Sequence, residues 1–181
     1  NRDVTIDAQQ GGSVFVINSG EGQSTVIKDL VITGGSASTG GGILCNFNSN
    51  PTISGCTISG NTVSYRGGGI YCYDNSSPTI SGCTIEGNTA EIGGGINCLI
   101  NSTPTITGCT ISWNTNYGIF CQGGNPTLTG TLLCDNSPNT IWGSWTDGGW
   151  NLFWDDCEDC NGNGIVDTQD ILDGTLTDID A

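Results

Sequence analysis

The stretch that decides the fold is GGGIYCYDNSSPTISGCTIEGNTAEI, residues 67–92, because near copies flank it on both sides. Residues 40–66 read GGGILCNFNSNPTISGCTISGNTVSYR, and residues 93–117 read GGGINCLINSTPTITGCTISWNTNY. A degraded copy follows at 118–142, and an earlier one lies at 12–39. The period is 25 to 27 residues. A fixed period of this length indicates a fold built from stacked repeats.

Within each copy, short runs of alternating apolar and polar residues are separated by Gly, Asn, Ser and Pro. In GGGIYC, Ile70 and Cys72 share one face, which is the period of a β-strand. Stacked coils of such strands form parallel sheets with strands about 4.8 Å apart. We therefore expect residues 1–154 to form an all-β, right-handed parallel β-helix of about six coils. A short acidic tail, 155–181, is expected to follow as a separate segment.

Equivalent positions of the copies are expected to stack into columns. The first copy is aligned by matching SVFV, residues 13–16, to GILC, and TVIKDLVIT, residues 25–33, to PTISGCTIS. An amide ladder is expected at one turn. Its members are Asn61, Asn88 and Asn114. Two inward rows are expected to be Ile43, Ile70, Ile96 and Ile119, and Ile53, Ile80, Ile106 and Leu128.

The repeat units, GGGIxC followed by SxPTISGCTISGNT, resemble the right-handed parallel β-helix repeats of bacterial secreted and surface proteins. Adhesin-type proteins and pectate-lyase-like folds share this class of repeat. The resemblance covers roughly residues 3–154. It implies the fold but leaves the function open, because lyases, hydrolases, tailspikes and adhesins all use this fold.

The cysteines of the repeats form two columns separated by the NSNP or NSSP turn. We expect the turn to bring the two sulfurs of a coil together across a narrow core. The expected disulfides are Cys45–Cys56, Cys72–Cys83 and Cys98–Cys109, with Cys121–Cys134 as a looser fourth. The alternative is two columns of free buried thiols, since Cys is also a small core residue. Cys157 and Cys160 could bridge each other, or Cys160 could pair elsewhere.

The tail contains DCNGNGIVDTQDIL, residues 159–172, which follows the spacing of a calcium-binding loop. Oxygen ligands at alternating positions, with Gly164 at the turn, suit a hard cation of high coordination number. The expected ligands are Asp159, Asn161, Asn163, Ile165 through its carbonyl, Asp167 and Asp170. The loop resembles dockerin and thrombospondin type-3 loops, although a second loop beginning at Asp178 is not completed. The alternative is a solvated acidic linker.

The chain has 3 Lys+Arg, 18 Asp+Glu and no His, giving a formal charge of -15. This balance disfavours nucleic acid and anionic membranes as partners, and the lack of His excludes His-dependent triads. No run of 18 apolar residues is present, so no membrane span is expected. Ten Cys and no Met suggest a processed protein that is secreted or displayed on the cell surface, in an oxidising environment.

The acids of the repeats are scattered on turns, so no pair of facing carboxylates is expected and no enzymatic activity is predicted. These acids are Asp74, Glu86, Glu91 and Asp135. Two sequons, at Asn75 and Asn101, fall at the same turn of successive coils and provide weak glycosylation sites. An aromatic cluster near the end is expected to cap the last coil, with sugar stacking as the alternative. Its members are Trp142, Trp145, Trp150, Phe153 and Trp154.

The expected function is that of a non-enzymatic, secreted structural or adhesion module of a bacterial surface or extracellular matrix. The uncovered first strand at 3–7 favours head-to-tail contact between copies of the chain, which would build a filament. The expected partners are therefore a second copy or surface glycans. One alternative is a carbohydrate-active or carbohydrate-binding β-helix. Another is an ice- or crystal-binding face formed by threonine columns, among them Thr57, Thr84 and Thr110.

Overall fold

The computed structural model describes residues 4–137 and 139–154, and every regular element within them is a β-strand. None of these residues forms a helix that could cross a membrane. In chain order the strands are β1 (Val4–Asp7), β2 (Phe15–Ile17), β3 (Val26–Lys28), β4 (Leu30–Thr33), β5 (Ser36–Thr39), β6 (Ile43–Cys45), β7 (Thr52–Ser54), β8 (Thr57–Ser59), β9 (Thr62–Arg66), β10 (Ile70–Cys72), β11 (Thr79–Ser81), β12 (Thr84–Glu86), β13 (Ile96–Leu99), β14 (Thr105–Thr107), β15 (Thr110–Ser112), β16 (Ile119–Gln122), β17 (Thr127–Thr129), β18 (Leu132–Cys134), β19 (Ile141–Trp142), β20 (Thr146–Asp147) and β21 (Leu152–Trp154).

The chain passes through three parallel sheets in the same order in every coil. Sheet 1 contains β2, β6, β10, β13, β16 and β19, and sheet 2 contains β3, β7, β11, β14, β17 and β20. Sheet 3 contains β1, β4, β8, β12, β15, β18 and β21, while β5 and β9 pair separately at the corner between sheets 3 and 1. The predicted all-β parallel solenoid is therefore confirmed.

Stacking is in register, as the repeat predicts. Ile70 pairs with Ile43 on one side and with Ile96 on the other, and the side chains of all three are fully buried. Ile80 occupies the same position on sheet 2, between Ile53 and Ile106. These columns fill the interior because β-branched side chains of identical shape pack on each other at the strand spacing.

The first copy departs from the predicted alignment by one residue on sheet 1. Phe15 pairs with Ile43 and Ile17 pairs with Cys45, whereas the motif alignment placed Val16 at the Cys45 position. A shift of one residue exchanges the two faces of a strand. Val16 is accordingly 53% exposed, and Ile17 is buried. This copy lacks the Gly-Gly-Gly lead that fixes the alignment elsewhere.

The expected asparagine ladder is present and continues one coil further, to Asn136. Each Nδ2 of Asn61, Asn88 and Asn114 donates to the Oδ1 of the next ladder residue at 3.0 Å. The same Oδ1 atoms also accept backbone N–H groups. Buried amides are thus satisfied within the ladder, as buried polar groups require. Asn136 was not predicted because the fourth copy is degraded at this turn.

The predicted disulfides within coils do not form. Seven cysteines are buried and carry free thiols: Cys45, Cys56, Cys72, Cys83, Cys98, Cys109 and Cys121. Cys45 ends a strand of sheet 1, whereas Cys56 lies at the corner between sheets 2 and 3, so β7, about 10 Å of strand, separates them. Cys134 is disulfide-bonded, but not to Cys121, whose thiol is free.

The predicted calcium site belongs to the end of the chain. The calcium ligands Asp159, Asn161, Asn163, Ile165, Asp167 and Asp170 lie outside the described residues, as do Cys157 and Cys160. The whole predicted tail, 155–181, also lies outside the described residues. Calcium binding therefore stays a prediction.

Candidate functional site

The outer face of sheet 1 carries a column of residues, several of them aromatic, that the repeat motif did not predict. In most strands of this sheet two residues point into the core and the residue between them points away from it, because side chains alternate along a strand. We call the outward column the aromatic face. From the first coil to the last, it consists of Val16, Leu44, Tyr71, Asn97, Phe120 and Trp142.

Three rings stack at the C-terminal end of the aromatic face. Phe120 and Trp142 lie nearly parallel, with ring centroids 4.4 Å apart and an interplanar angle of 5°. Tyr117 tilts against Phe120 at 5.5 Å. Trp142 is 44% exposed, so the stack ends in an indole face that solvent reaches. Tyr117 has a φ of 81°, a conformation that an aromatic residue rarely adopts and that is common at functional sites.

A second aromatic group lies two coils earlier. Tyr71 and Tyr73 stack with ring centroids 5.7 Å apart. Beside them, the guanidinium of Arg66 lies 4.6 Å from the centre of the Tyr65 ring, and its Nη2 donates to the Tyr65 hydroxyl at 3.1 Å. Burial raises the pKa of Tyr71 to about 12. Its hydroxyl is therefore neutral at physiological pH and available as a donor.

Asn97 lies between the two aromatic groups, since it pairs with Tyr71 on one side and with Phe120 on the other. It is fully buried, and its Nδ2 donates to the Ile92 carbonyl at 3.3 Å. Its Oδ1 has no partner, and neither does Nη1 of Arg66. These are the two such buried atoms within 4–137 and 139–154, and both belong to the neighbourhood of the aromatic face. Buried polar atoms without partners are rare in proteins and call for an explanation.

The arrangement suits a ligand that is both apolar and hydroxylated. The exposed Trp142 ring offers flat apolar surface, and the half-buried Tyr117 beside Phe120 carries a phenol that can form hydrogen bonds. A pyranose ring has this combination, with C–H groups on its faces and hydroxyls around its edge. Arg66 is the one cation beside these rings among the described residues, and Lys28 lies on sheet 2 in the first coil.

The predicted glycosylation sites lie on the turns that follow β10 and β13 of sheet 1. Asn75 and Asn101 are exposed at the same turn of consecutive coils, where glycosylation stays a prediction. Asp74, in the same turn, accepts a hydrogen bond from Asn75 at 2.9 Å. Within the part of the chain that the structure describes, no group of three or more acids and cysteines is placed to hold a metal ion.

The C-terminal aromatic cluster covers the last coil only in part. Trp145 packs against the core, and its ring tilts against Phe153 at 5.3 Å. Trp150 is 86% exposed, and Trp142 belongs to the aromatic face rather than to a cap. Sequence reasoning grouped these rings by their proximity in the chain. The useful signal is the variable residue that follows the inward Ile of each coil on sheet 1, which is Tyr71, Phe120 and Trp142 in three of the coils.

Comparison with known families agrees with the coil geometry. A family model described as "Right handed beta helix region" matches residues 2–158. The match covers every residue that the structure describes. No curated protein and no solved structure matches the chain.

Proposed function

The chain belongs to the right-handed β-helix family, and because this fold serves enzymes and non-enzymes alike, we propose its function from the surface it presents. The proposed function is that of a non-catalytic, secreted adhesion module that binds neutral surface glycans through the aromatic face. The observation that carries the proposal is the parallel stack of Phe120 and Trp142 at 4.4 Å, with Trp142 44% exposed.

The aromatic face is rigid, so a ligand that binds to it orders few side chains. The stacked rings are mounted on strands whose inward residues, such as Ile119, are fully buried. A preformed surface loses little side-chain entropy when a ligand docks, so more of the contact energy appears as affinity. Aromatic rings also contribute large contact areas with only two rotatable bonds each.

Charge favours neutral glycans over anionic ones. The formal charge of the chain is -15, which opposes the approach of a polyanion. Arg66 is the one cation close to the aromatic face among the described residues, and its guanidinium is already engaged with Tyr65. We therefore expect polymers without carboxylate or sulfate groups to be the preferred ligands.

Calcium and an extracellular location form part of the same proposal. The loop beginning at Asp159 has the ligand spacing of a calcium site, and calcium is abundant outside cells. In the proposal, calcium orders the tail 155–181 and leaves the aromatic face unchanged. In the proposal the protein is secreted, and its ligand is a glycan of a cell surface or matrix.

Head-to-tail self-association is a second candidate, and it rests on the outermost strands of the sheets within residues 4–137 and 139–154. Among these residues β1 is an edge strand whose Val4 and Ile6 are 55% and 36% exposed. β19, β20 and β21 are the opposite edges of the three sheets in the same part of the chain. Edge strands can accept further strands, so one copy could continue the sheets of another and build a filament. Negative-stain electron microscopy separates the candidates, because filaments support self-association and single particles oppose it.

A glycan array tests the main proposal. Wild-type protein is compared with Trp142→Ala, which removes the exposed end of the ring stack, and with the control Trp113→Gly. Trp113 is 58% exposed and lies outside the aromatic face, at a positive-φ position that is Gly in the two preceding coils. We expect binding to neutral glycans by wild type and by the control, and at least a tenfold loss for Trp142→Ala. Equal binding by all three, or shortened glycan products, would contradict the proposal.

A further inference from the structure

The buried thiols form two columns along the axis of the solenoid. On sheet 1, Cys72 pairs in register with Cys45 on one side and Cys98 on the other, and Cys98 pairs with Cys121. The second column runs through the corner between sheets 2 and 3. It consists of Cys56, Cys83 and Cys109. Every thiol in both columns is at most 2% exposed.

Neighbours within a column occupy the same position of consecutive coils. In the first column Cys45 lies beside Cys72, and Cys98 lies beside both Cys72 and Cys121, because these pairs are in register on sheet 1. In the second column the backbone N–H of Cys83 donates to Sγ of Cys109 at 3.5 Å. Each thiol therefore has its sulfur neighbours in the coils above and below, not across its own coil.

We propose that these columns are sites of disulfide cross-linking, in which oxidation joins the thiols of consecutive coils. In-register parallel strands place their Cα atoms about 4.8 Å apart, inside the 4.4–6.8 Å range that a disulfide requires. To form the bond, the Cβ atoms of two neighbouring cysteines need to move only slightly closer, because disulfides favour Cβ separations of about 3.8 Å. This site is independent of the aromatic face and of any glycan.

The number of thiols in each column determines how many disulfides it can form. The column of four thiols pairs completely as Cys45–Cys72 and Cys98–Cys121. The column of three can form one bridge, Cys56–Cys83 or Cys83–Cys109, and keeps one thiol. Complete oxidation therefore leaves one thiol among these seven.

The oxidant is a small-molecule disulfide such as oxidised glutathione. One column thiolate attacks it, forms a mixed disulfide and releases one glutathione thiol. The neighbouring column thiolate then displaces the second glutathione, so that one S–S bond breaks for each that forms and both protons end on glutathione. Each bridge thus oxidises two protein thiols and reduces one molecule of oxidised glutathione to two thiols.

Burial sets the timing of the reaction. A mixed disulfide with glutathione does not fit around thiols that are at most 2% exposed. The bridges must therefore form while the coils are still stacking, or during opening of the folded chain. Once closed, they are protected from reductants by the same burial, and each one fixes the spacing between two coils.

Refolding of the full chain tests the proposal. Reduced, denatured protein is refolded in a glutathione redox buffer, unfolded again in the presence of an alkylating agent, digested and analysed by mass spectrometry. We expect linked peptides Cys45–Cys72 and Cys98–Cys121, and one alkylated cysteine among the seven. Alkylation of all seven, or links within a coil such as Cys45–Cys56, would overturn the proposal.

Two matched variants sharpen the result. Cys72→Ala should leave Cys45 alkylated and the Cys98–Cys121 link intact. Cys121→Ala leaves three consecutive thiols, which should form one bridge, Cys45–Cys72 or Cys72–Cys98, and leave one of the three alkylated. Alkylation of every remaining thiol of the column in either variant, or a link from this column to a cysteine outside it, would show that pairing does not follow the columns and would overturn the proposal.

Discussion

Replacement of Asn88 by Ala should remove the centre of the asparagine ladder. The Asn88 side chain is fully buried and takes part in four hydrogen bonds. Its Nδ2 donates to the Ile58 carbonyl at 2.9 Å and to Oδ1 of Asn114 at 3.0 Å. Its Oδ1 accepts the backbone N–H of Asn61 at 3.1 Å and Nδ2 of Asn61 at 3.0 Å. Alanine provides none of these groups.

The loss can be worked out from the partners that remain. Nδ2 of Asn61 keeps the carbonyls of Ile32 and Ser59, but the Asn61 backbone N–H is left buried without an acceptor. An unsatisfied buried donor costs about 1–3 kcal/mol, and each of the other lost hydrogen bonds about 1 kcal/mol. We therefore expect Asn88→Ala to lower the free energy of unfolding by about 4–6 kcal/mol, a large share of the stability of a typical domain.

Urea unfolding of the reduced protein measures this change, with Asn18→Ala as the matched control. Asn18 is exposed, and its side chain takes part only in a 3.4 Å contact with Ser19. The control should change the unfolding free energy by less than about 0.5 kcal/mol, as exposed substitutions usually do. A loss below about 1 kcal/mol for Asn88→Ala would refute the reasoning, because the ladder would then contribute no more than an exposed side chain.

Three further predictions concern a strained turn, the thiols and the tail. Trp113→Gly should leave the melting temperature unchanged or raise it. Trp113 has a φ of 58°, and this left-handed conformation costs a residue with a Cβ about 1–2 kcal/mol, a cost that glycine avoids. A clear fall of the melting temperature would contradict this reasoning. In the reduced protein, hydrogen bonding between thiols and burial raise the pKa of Cys45 well above its ordinary value of 9.0, and that of Cys83 to about 12. The unfolded chain therefore ionises first as pH rises, so stability that is present below pH 9 should fall above it, by about 1.4 kcal/mol per pH unit for each such thiol. Urea unfolding at pH 8 and pH 10 checks this loss, which a pH-independent stability would contradict. Removal of calcium by a chelator should make the tail 155–181 sensitive to protease while the solenoid stays intact, and identical digestion with and without calcium would contradict the predicted site.

The repeat made the solenoid and its core predictable. Identical side chains recurring at a fixed period leave one arrangement in which Ile43, Ile70 and Ile96 all reach the interior, namely in-register stacking. The first copy shows the limit of this reasoning. Without the glycine lead, the motif alone did not distinguish Val16 from Ile17 as the inward residue, and the structure selects the larger Ile17.

The cysteine pairing could not be derived from spacing along the chain. Separation in sequence suggested that Cys45 and Cys56 face each other, but a complete strand of sheet 2 stands between them. Thiol neighbours are determined by register between coils, which places Cys45 beside Cys72. The aromatic face was missed for a related reason. Tyr71 and Phe120 occupy a position that differs in every copy, and their alignment is visible only when the coils are stacked.

Isothermal titration calorimetry with the neutral glycan that binds most strongly on the array tests the proposed function most directly. The proposed function predicts saturable heats of binding for wild type and Trp113→Gly, a strongly weakened signal for Trp142→Ala, and no continuing heat after each injection. Equal affinity in Trp142→Ala would show that the aromatic face is not the binding surface. Continuing heat from turnover of the glycan would show that the chain is an enzyme and not an adhesion module.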